Sequence, residues 1–211
     1  MRWAKECVEG ACASIAVLSS LASNREHPLP PAEDIQANPS LLPLLIGIAQ
    51  SLAWTQGAVT ITGWLNWLAE LPLEQGMTLP DGTRLLGVHA PPGTDDGPGV
   101  HPGLSDEELH ALLTNCEADL VCVGHTHIPL DRSVGGVRVV NIGSVSNPTA
   151  AGLQASYVLL DAQPSDYHLQ FRQVTYDRQA VIAAVQQSRH PQSTFLIQFL
   201  RGEIRAPWTP E

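Results

Sequence analysis

Three short, largely apolar runs in the second half of the chain each end in a polar turn, and this pattern constrains the fold more than any other feature. The runs, each with the polar side chain that follows it, are 85–88 with His89, 120–123 with His125, and 137–140 with Asn141. Such runs are typical of strands that are covered on both faces of a sheet. Since ligands bind where the strands of an open α/β sheet end, the sequence predicts a site at that edge.

The turns after the first two runs carry three histidines. His125 and His127 lie two positions apart, and His89 occupies the equivalent place after the earlier run. Residues two apart point the same way on an extended backbone, so both rings of the pair can reach one small site. Because imidazole is a common ligand of transition metals, the pattern predicts a metal site. The alternative is that the histidines simply lie in surface loops.

Three segments carry a family resemblance: GVHAPPG at 87–93, VGHTHIP at 123–129 and VVNIGSVSNP at 139–148. In this order and spacing they resemble the calcineurin-like metallophosphoesterases, in particular the small bacterial phosphodiesterase branch. The resemblance extends from about residue 38 to residue 182. It implies an α/β (α+β layered) fold, namely a partial metallophosphoesterase β-sandwich flanked by helices.

In that family, two divalent metals activate a hydroxide that attacks phosphorus. The resemblance implies that His89 and His125 are ligands of one metal and that His127 is a ligand of the other. It also implies a supporting loop, made of Gly124, Asn141, Gly143 and Ser144. The implied cofactor is a divalent metal (Mn, Fe, Zn or Ni), and the implied partner is a small phosphate ester.

The family's acidic motifs are missing from the expected place. No Asp-x-His, Gly-Asp or Gly-Asn-His motif precedes residue 85, so the resemblance covers the carboxyl-terminal half only. Three neutral imidazoles hold at most a single zinc, so we expect one metal or none and assign no catalytic residue. Two functions remain open: a metal-dependent hydrolase of phosphodiesters or phosphomonoesters that is incomplete in this chain, or a noncatalytic remnant that binds a partner or a single metal.

The composition limits the binding partners and the cellular location that we expect for this protein. The 211 residues carry a formal net charge of −10, which argues against a nucleic-acid surface. The four cysteines form no Cys-x-x-Cys pair, which indicates reduced thiols and a cytoplasmic protein. We expect no membrane partner. A missing half would leave an apolar sheet edge, and we therefore expect self-association through that edge.

The chain divides by pattern into an irregular leader at 1–37, a metallophosphoesterase-like domain at 38–190 and a tail with a short helix at 191–211. The apolar run 11–22 resembles a signal peptide, but Glu6 and Glu9 interrupt the basic region that such a peptide needs. The leader is better interpreted as a foreign or misread segment. The upstream nucleotide sequence would test that interpretation.

Local signals predict the remaining elements. Capping or turn residues are expected at Thr62, Asp81-Gly82, Ser105, Gly135-Gly136 and Asp177. Helices are predicted at 41–55, 63–71, 106–115, 178–187 and 193–201, and strands at 77–79, 83–89, 156–160 and 168–174.

Overall fold

The computed structural model describes residues 36, 38–95, 97–146, 149 and 152–204. The predicted leader, except Gln36, and the run 11–22 therefore lie outside the described residues. Two compact units divide the chain. We call Pro72–Tyr176 the sheet unit, and the described residues of 38–71 together with Asp177–Glu203 the helical unit.

The regular elements of the described residues are numbered in chain order. The helices are α1 (Leu42–Ile61), α2 (Leu65–Ala69), α3 (Asp106–Leu112), α4 (Arg178–Gln187) and α5 (Ser193–Arg201), and a short 3₁₀ turn at Pro39–Leu41 precedes α1. The strands are β1 (Glu74–Thr78), β2 (Arg84–Val88), β3 (Leu120–Val123), β4 (Leu130–Val134), β5 (Val137–Asn141), β6 (Ala155–Ala162) and β7 (Tyr167–Val174).

Five strands of the sheet unit form one mixed sheet in the order β1-β2-β3-β5-β4. The three central strands β2, β3 and β5 are parallel, and antiparallel strands close both edges. Strands β6 and β7 form a separate antiparallel pair. The turns at Gly82 and at Gly135-Gly136 have positive φ, so both predicted hairpins are confirmed. At the β1 edge all five residues are exposed, and association through this edge stays a prediction.

Both faces of the five-stranded sheet are covered. Along β3, Leu120 packs with Leu169 of the β6–β7 pair, whereas its neighbour Val121 packs with Leu109 of α3 on the other face. Neighbouring residues of a strand point to opposite faces, so the apolar run fills two cores at once. The predicted α/β layering is therefore present.

Helix α3 begins with the predicted capping box. The Glu108 amide donates to Ser105 Oγ at 3.1 Å, and the Ser105 amide donates to Glu108 Oε2 at 2.7 Å. These bonds hold the pKa of the Glu108 carboxyl below its ordinary value, because the charged form accepts them. The helix ends at Leu112, three residues earlier than predicted.

The helical unit departs from prediction at Thr62. Helix α1 continues to Ile61, and the Thr62 hydroxyl donates to the carbonyls of Ala58 and Val59. Thr62 therefore ends α1, and the prediction that it caps the following helix is wrong. Helix α2 has no side-chain cap and is only five residues long. The predicted cap of α4 is confirmed, since Asp177 Oδ1 accepts the Ala180 amide at 3.0 Å.

A buried histidine joins α1 to the segment between α4 and α5. His190 Nδ1 accepts the Gln192 amide at 3.1 Å, so the ring proton lies on Nε2, which is 3.3 Å from Ser51 Oγ. The ring also packs edge-on against Trp54, with 4.7 Å between centroids. Burial lowers the pKa of the His190 imidazole, since the charged form is poorly solvated there.

We expect Ser105→Ala to lower the free energy of unfolding by about 1 kcal/mol, because the Glu108 amide at the start of α3 loses its side-chain acceptor. Urea denaturation measures this. Ser133→Ala, at an exposed position of β4, is the matched control and should leave the free energy within about 0.5 kcal/mol of wild type. Equal effects of the two changes would contradict the role of the cap.

The lowered pKa of His190 gives a pH dependence of stability with a definite sign. The imidazole binds a proton more readily in the unfolded chain than in the folded chain. The contribution of neutral His190 to the free energy of unfolding is therefore complete above the ordinary pKa of 6.5 and is lost as pH falls through the folded-state pKa. Urea denaturation between neutral and mildly acidic pH should therefore show a shallower loss of stability in His190→Gln than in wild type. Parallel curves would refute this prediction.

Candidate functional site

The parallel strands bring the predicted site residues to one edge of the sheet. His89 directly follows β2, Gly124 and His125 follow β3, and Asn141 is the last residue of β5. The Gly124 amide donates to the His89 carbonyl at 2.9 Å, so the two turns are joined just beyond the strands. This is the edge at which ligands bind in open α/β sheets.

Two of the three imidazoles are in direct contact. His89 Nε2 lies 3.2 Å from His125 Nδ1, and the rings meet edge to face with 5.1 Å between centroids. His125 Nε2 lies 2.9 Å from the carbonyl oxygen of Gly97. A carbonyl only accepts, so Nε2 of His125 carries the proton and its Nδ1 presents a lone pair toward His89.

This arrangement matches two ligands of one metal ion. Nitrogens bonded to the same tetrahedral ion at about 2.05 Å are separated by about 3.3 Å. The observed gap of 3.2 Å is close to that value. Metal-binding histidines also donate their second ring N–H to a carbonyl or carboxylate, as His125 does to Gly97. The separation of the two nitrogens therefore agrees both with a hydrogen bond between the rings and with two positions of a single ion.

The third imidazole, His127, does not join the pair in a group of three metal-ligating side chains among the described residues. The backbone of the loop is not extended: φ is 61° at His125 and 62° at His127, in the left-handed region that side chains rarely adopt. The expectation of an extended backbone at these two residues is therefore wrong. His127 is buried, and its carbonyl accepts the Thr149 hydroxyl at 3.1 Å.

The described residues do not provide a larger ligand set. Within them, no three His, Cys, Asp or Glu side chains are placed to hold a metal together. Asp96, in the loop beside the pair, lies outside the described residues. A centre of two hard divalent ions needs carboxylate ligands, so the described side chains fit one ion at two positions and not a dinuclear centre. The roles of His89, His125 and His127 as metal ligands stay predictions.

One buried amide holds the turns around the pair. The Asn141 side chain is fully buried, and its Nδ2 lies 2.7 Å from the Gly124 carbonyl, 3.0 Å from the Val100 carbonyl and 2.8 Å from Thr126 Oγ1. Thr126 Oγ1 in turn donates to the Val100 carbonyl at 2.8 Å. Asn141 therefore ties the end of β5 to the histidine loop and to the segment around residue 100.

The rest of the predicted supporting loop packs behind Asn141. The Gly143 amide donates to Asn141 Oδ1 at 3.0 Å, and Ser144 is buried with its carbonyl accepting the Ser156 amide at 2.8 Å. Gly143 has φ of 79°, and a Cβ there would lie 2.8 Å from the Ser156 Cβ. Only glycine fits this turn without displacing β6.

Sequence reasoning missed the residues of the 97–100 segment that hold His125 and Thr126. The carbonyls of Gly97 and Val100 accept hydrogen bonds from these two residues. A Cβ on Gly99 would lie 2.5 Å from Thr126 Cγ2 and 2.7 Å from His125 Cδ2. Gly-Pro-Gly at 97–99 was the available signal, because closely spaced glycines mark close backbone approach.

A separate cavity of about 960 Å³ lies in the sheet unit. Its walls come from β1, β2, the 91–98 loop and the 111–118 segment. None of the three histidines lines it. The half-buried histidine pair therefore lies outside this cavity, although Gly97, which contacts His125, is one of its lining residues.

Comparison with known proteins places the chain in a class. The sequence profile of the calcineurin-like phosphoesterase superfamily domain matches residues 48–165. A hypothetical protein of Pyrococcus horikoshii OT3 is similar in structure over 87% of this chain and 69% of its own, with 18% identity and a TM-score of 0.65. A metallophosphoesterase of Sphaerobacter thermophilus is similar over 72% of this chain and 67% of its own, with 20% identity and a TM-score of 0.59. No curated protein matches the chain significantly.

The two solved structures share the layered α/β fold of the sheet and its helices. The profile covers more than half of the chain, and the chain belongs to the calcineurin-like phosphoesterase superfamily. The predicted family and fold class are confirmed. The narrower assignment to the small bacterial phosphodiesterase branch stays a prediction.

We expect Asn141→Ala to lower the free energy of unfolding by about 3 kcal/mol, because the buried Gly143 amide loses its acceptor and the buried hydrogen-bond network around Thr126 is broken. Urea denaturation measures this loss. Asn115→Ala, the same change at an exposed position, is the control and should have little effect. A small effect of Asn141→Ala would contradict the role of this amide.

Proposed function

We propose that this chain carries part of the active centre of a metal-dependent phosphoesterase, in which His89 and His125 bind one divalent ion. The proposal rests on the 3.2 Å contact of their facing ring nitrogens at the carboxyl edge of the sheet. Membership of the calcineurin-like phosphoesterase superfamily supports it. The reaction is the hydrolysis of a phosphodiester or phosphomonoester.

The residues of this chain hold and orient the ion. His125 binds through Nδ1, while the Gly97 carbonyl fixes its tautomer by accepting the Nε2 proton. His89 would offer Nε2 to the ion in the tautomer that carries its proton on Nδ1. Asn141 keeps the His125 loop in register with β5 through the Gly124 carbonyl. A bound divalent ion supplies hydroxide near neutral pH and offsets charge on the phosphoryl oxygens.

The described residues limit what this polypeptide does alone. They contribute no carboxylate to the histidine pair, so we derive no step that needs a second ion. We therefore expect a single ion and slow but measurable turnover from this chain without further ligands. The substrate class is a small phosphate ester, since the net charge of −10 disfavours nucleic acids. A cytoplasmic location remains part of the proposal.

The second candidate is a noncatalytic member of the superfamily that binds one metal or a protein partner. The observation that favours it is the lack, within the described ranges, of any group of three metal-ligating side chains. Metal binding without hydrolysis is the expected behaviour in this case. The two candidates thus share the site and differ in turnover.

Metal analysis and a hydrolysis assay test both candidates. We expect the purified full chain, loaded with Zn²⁺ or Mn²⁺ and desalted, to retain at most one ion. His125→Ala should lower the affinity at least about tenfold, because one of two ligands is lost. His168→Ala is the matched control, since His168 is exposed on β7, and should bind as wild type does.

Hydrolysis of bis(p-nitrophenyl) phosphate then separates the candidates. Turnover that is lost in His125→Ala and kept in His168→Ala would support the phosphoesterase. Metal binding with no turnover would support the noncatalytic member. If neither metal binds to wild type, or if His125→Ala binds equally well, the proposed site is wrong in both forms.

A further inference from the structure

Helix α1 presents an apolar face that the fold leaves uncovered. Residues spaced by three or four lie on one side of a helix, and one such series on α1 is exposed. We call this series the outer face of α1; it consists of Leu42, Ile46, Ala49, Ala53, Gly57 and Ile61. Its large members are 47%, 48% and 89% exposed at Leu42, Ile46 and Ile61, whereas Leu45, at the margin of this face, is 7% exposed. Exposed apolar patches of this kind mark interaction sites.

The segment that carries this face has no charge. Residues 38–69 contain no Asp, Glu, Lys, Arg or His, although the whole chain has a net charge of −10. Just beyond α1, Trp64 and Trp67 are 57% and 51% exposed and meet edge to face at 5.6 Å. Large exposed aromatics and a lack of charge are typical of the centre of a protein interface.

A lipid bilayer is a less suitable partner for the outer face of α1 than a protein. The segment Pro39–Ile61 is long and apolar enough to cross a membrane by length and composition, with a mean hydropathy of 1.3. However, the middle of α1 makes polar contacts within the helical unit: Ser51 with His190 at 3.3 Å and Gln50 with Gln192 at 3.2 Å. A spanning helix would carry these groups into hydrocarbon, where polar atoms are costly to bury.

The charge distribution and the shape of the outer face favour a second copy of the chain. Two copies of net charge −10 repel each other when their acidic surfaces approach. This repulsion is smallest when the uncharged segment 38–69 of one copy meets the same segment of the other. The small residues Ala49 and Ala53 lie in the middle of the face, with large residues toward both ends. An antiparallel two-fold pairing then matches small to small at the centre, which allows close approach of the two helices.

We propose that the outer face of α1 is the interface of a homodimer with two-fold symmetry. The proposal does not depend on metal binding or on hydrolysis. Sedimentation velocity of the full chain over roughly a hundredfold range of concentration should give a monomer–dimer equilibrium. Added salt should strengthen the dimer, because it screens the repulsion between the two acidic chains.

Ala53→Glu is the main test, since it places two carboxylates at the centre of the interface. We expect it to raise the dimer dissociation constant at least about tenfold. Ala184→Glu is the matched control: Ala184 is an exposed alanine on α4 of the same unit, and the change should leave dimerisation unaltered. Circular dichroism should show equal helix content in both. Ile61→Glu, at a residue that is 89% exposed, should also weaken the dimer without affecting the fold.

Several results would overturn the proposal. One is a wild type that sediments as a monomer at every concentration, and another is equal behaviour of the two alanine variants. A monomer that floats with neutral phosphatidylcholine vesicles, and stops doing so in Ala53→Glu, would indicate a bilayer as the partner. A dimer that survives Ala53→Glu and dissociates in Met77→Lys would place the interface at the β1 edge.

Discussion

The carboxyl edge of the sheet depends on one buried amide. Asn141 has no exposed surface, and its Nδ2 contacts the histidine loop and the segment around Val100. The carbonyls of Gly124 and Val100 also accept hydrogen bonds from Thr126, and the Asn141 side chain joins these groups into one buried network. Hydrogen bonds in such a low-dielectric interior reinforce one another, so one side chain with two N–H groups links two irregular segments to the end of β5.

That constraint explains the conformation of the histidines. Between His125 and His127 the chain turns through two left-handed residues, a conformation that costs free energy and persists only where surrounding contacts impose it. Thr126, between them, is fixed by Asn141 and by the Val100 carbonyl. The same turn leaves His125 facing His89, with a gap of 3.2 Å between Nδ1 of His125 and Nε2 of His89.

The sequence was most informative where structure follows from neighbouring residues. The capping box at Ser105, the hairpins at Gly82 and Gly135-Gly136, and the cap at Asp177 depend on contacts within a few positions, and all were predicted. The location of the candidate site at the edge of the sheet could also be predicted, because apolar runs and the residues that follow them can be read from the sequence. The direction of the loop and its long-range contacts could not be predicted, because the turn around Thr126 and the contact of His125 with the Gly97 carbonyl involve residues 15 or more positions apart. The prediction at Thr62 was wrong for a related reason. A threonine hydroxyl can hydrogen-bond at either end of a helix, and only the extension of α1 to Ile61 places Thr62 at the end of α1.

The acidic character of the chain does not make the histidine pair an oxygen-rich site, because several carboxylates of the sheet unit are already engaged. Asp119, just before β3, forms a two-point ion pair with Arg84, and that guanidinium lowers the pKa of the carboxyl to about 2. Asp131 pairs in the same way with Arg138, which lowers its pKa as well. Since Asp119 precedes the strand whose far end carries His125, its charge lies at the opposite edge. The charge of Asp119 therefore supplies no oxygen ligand to the histidine pair.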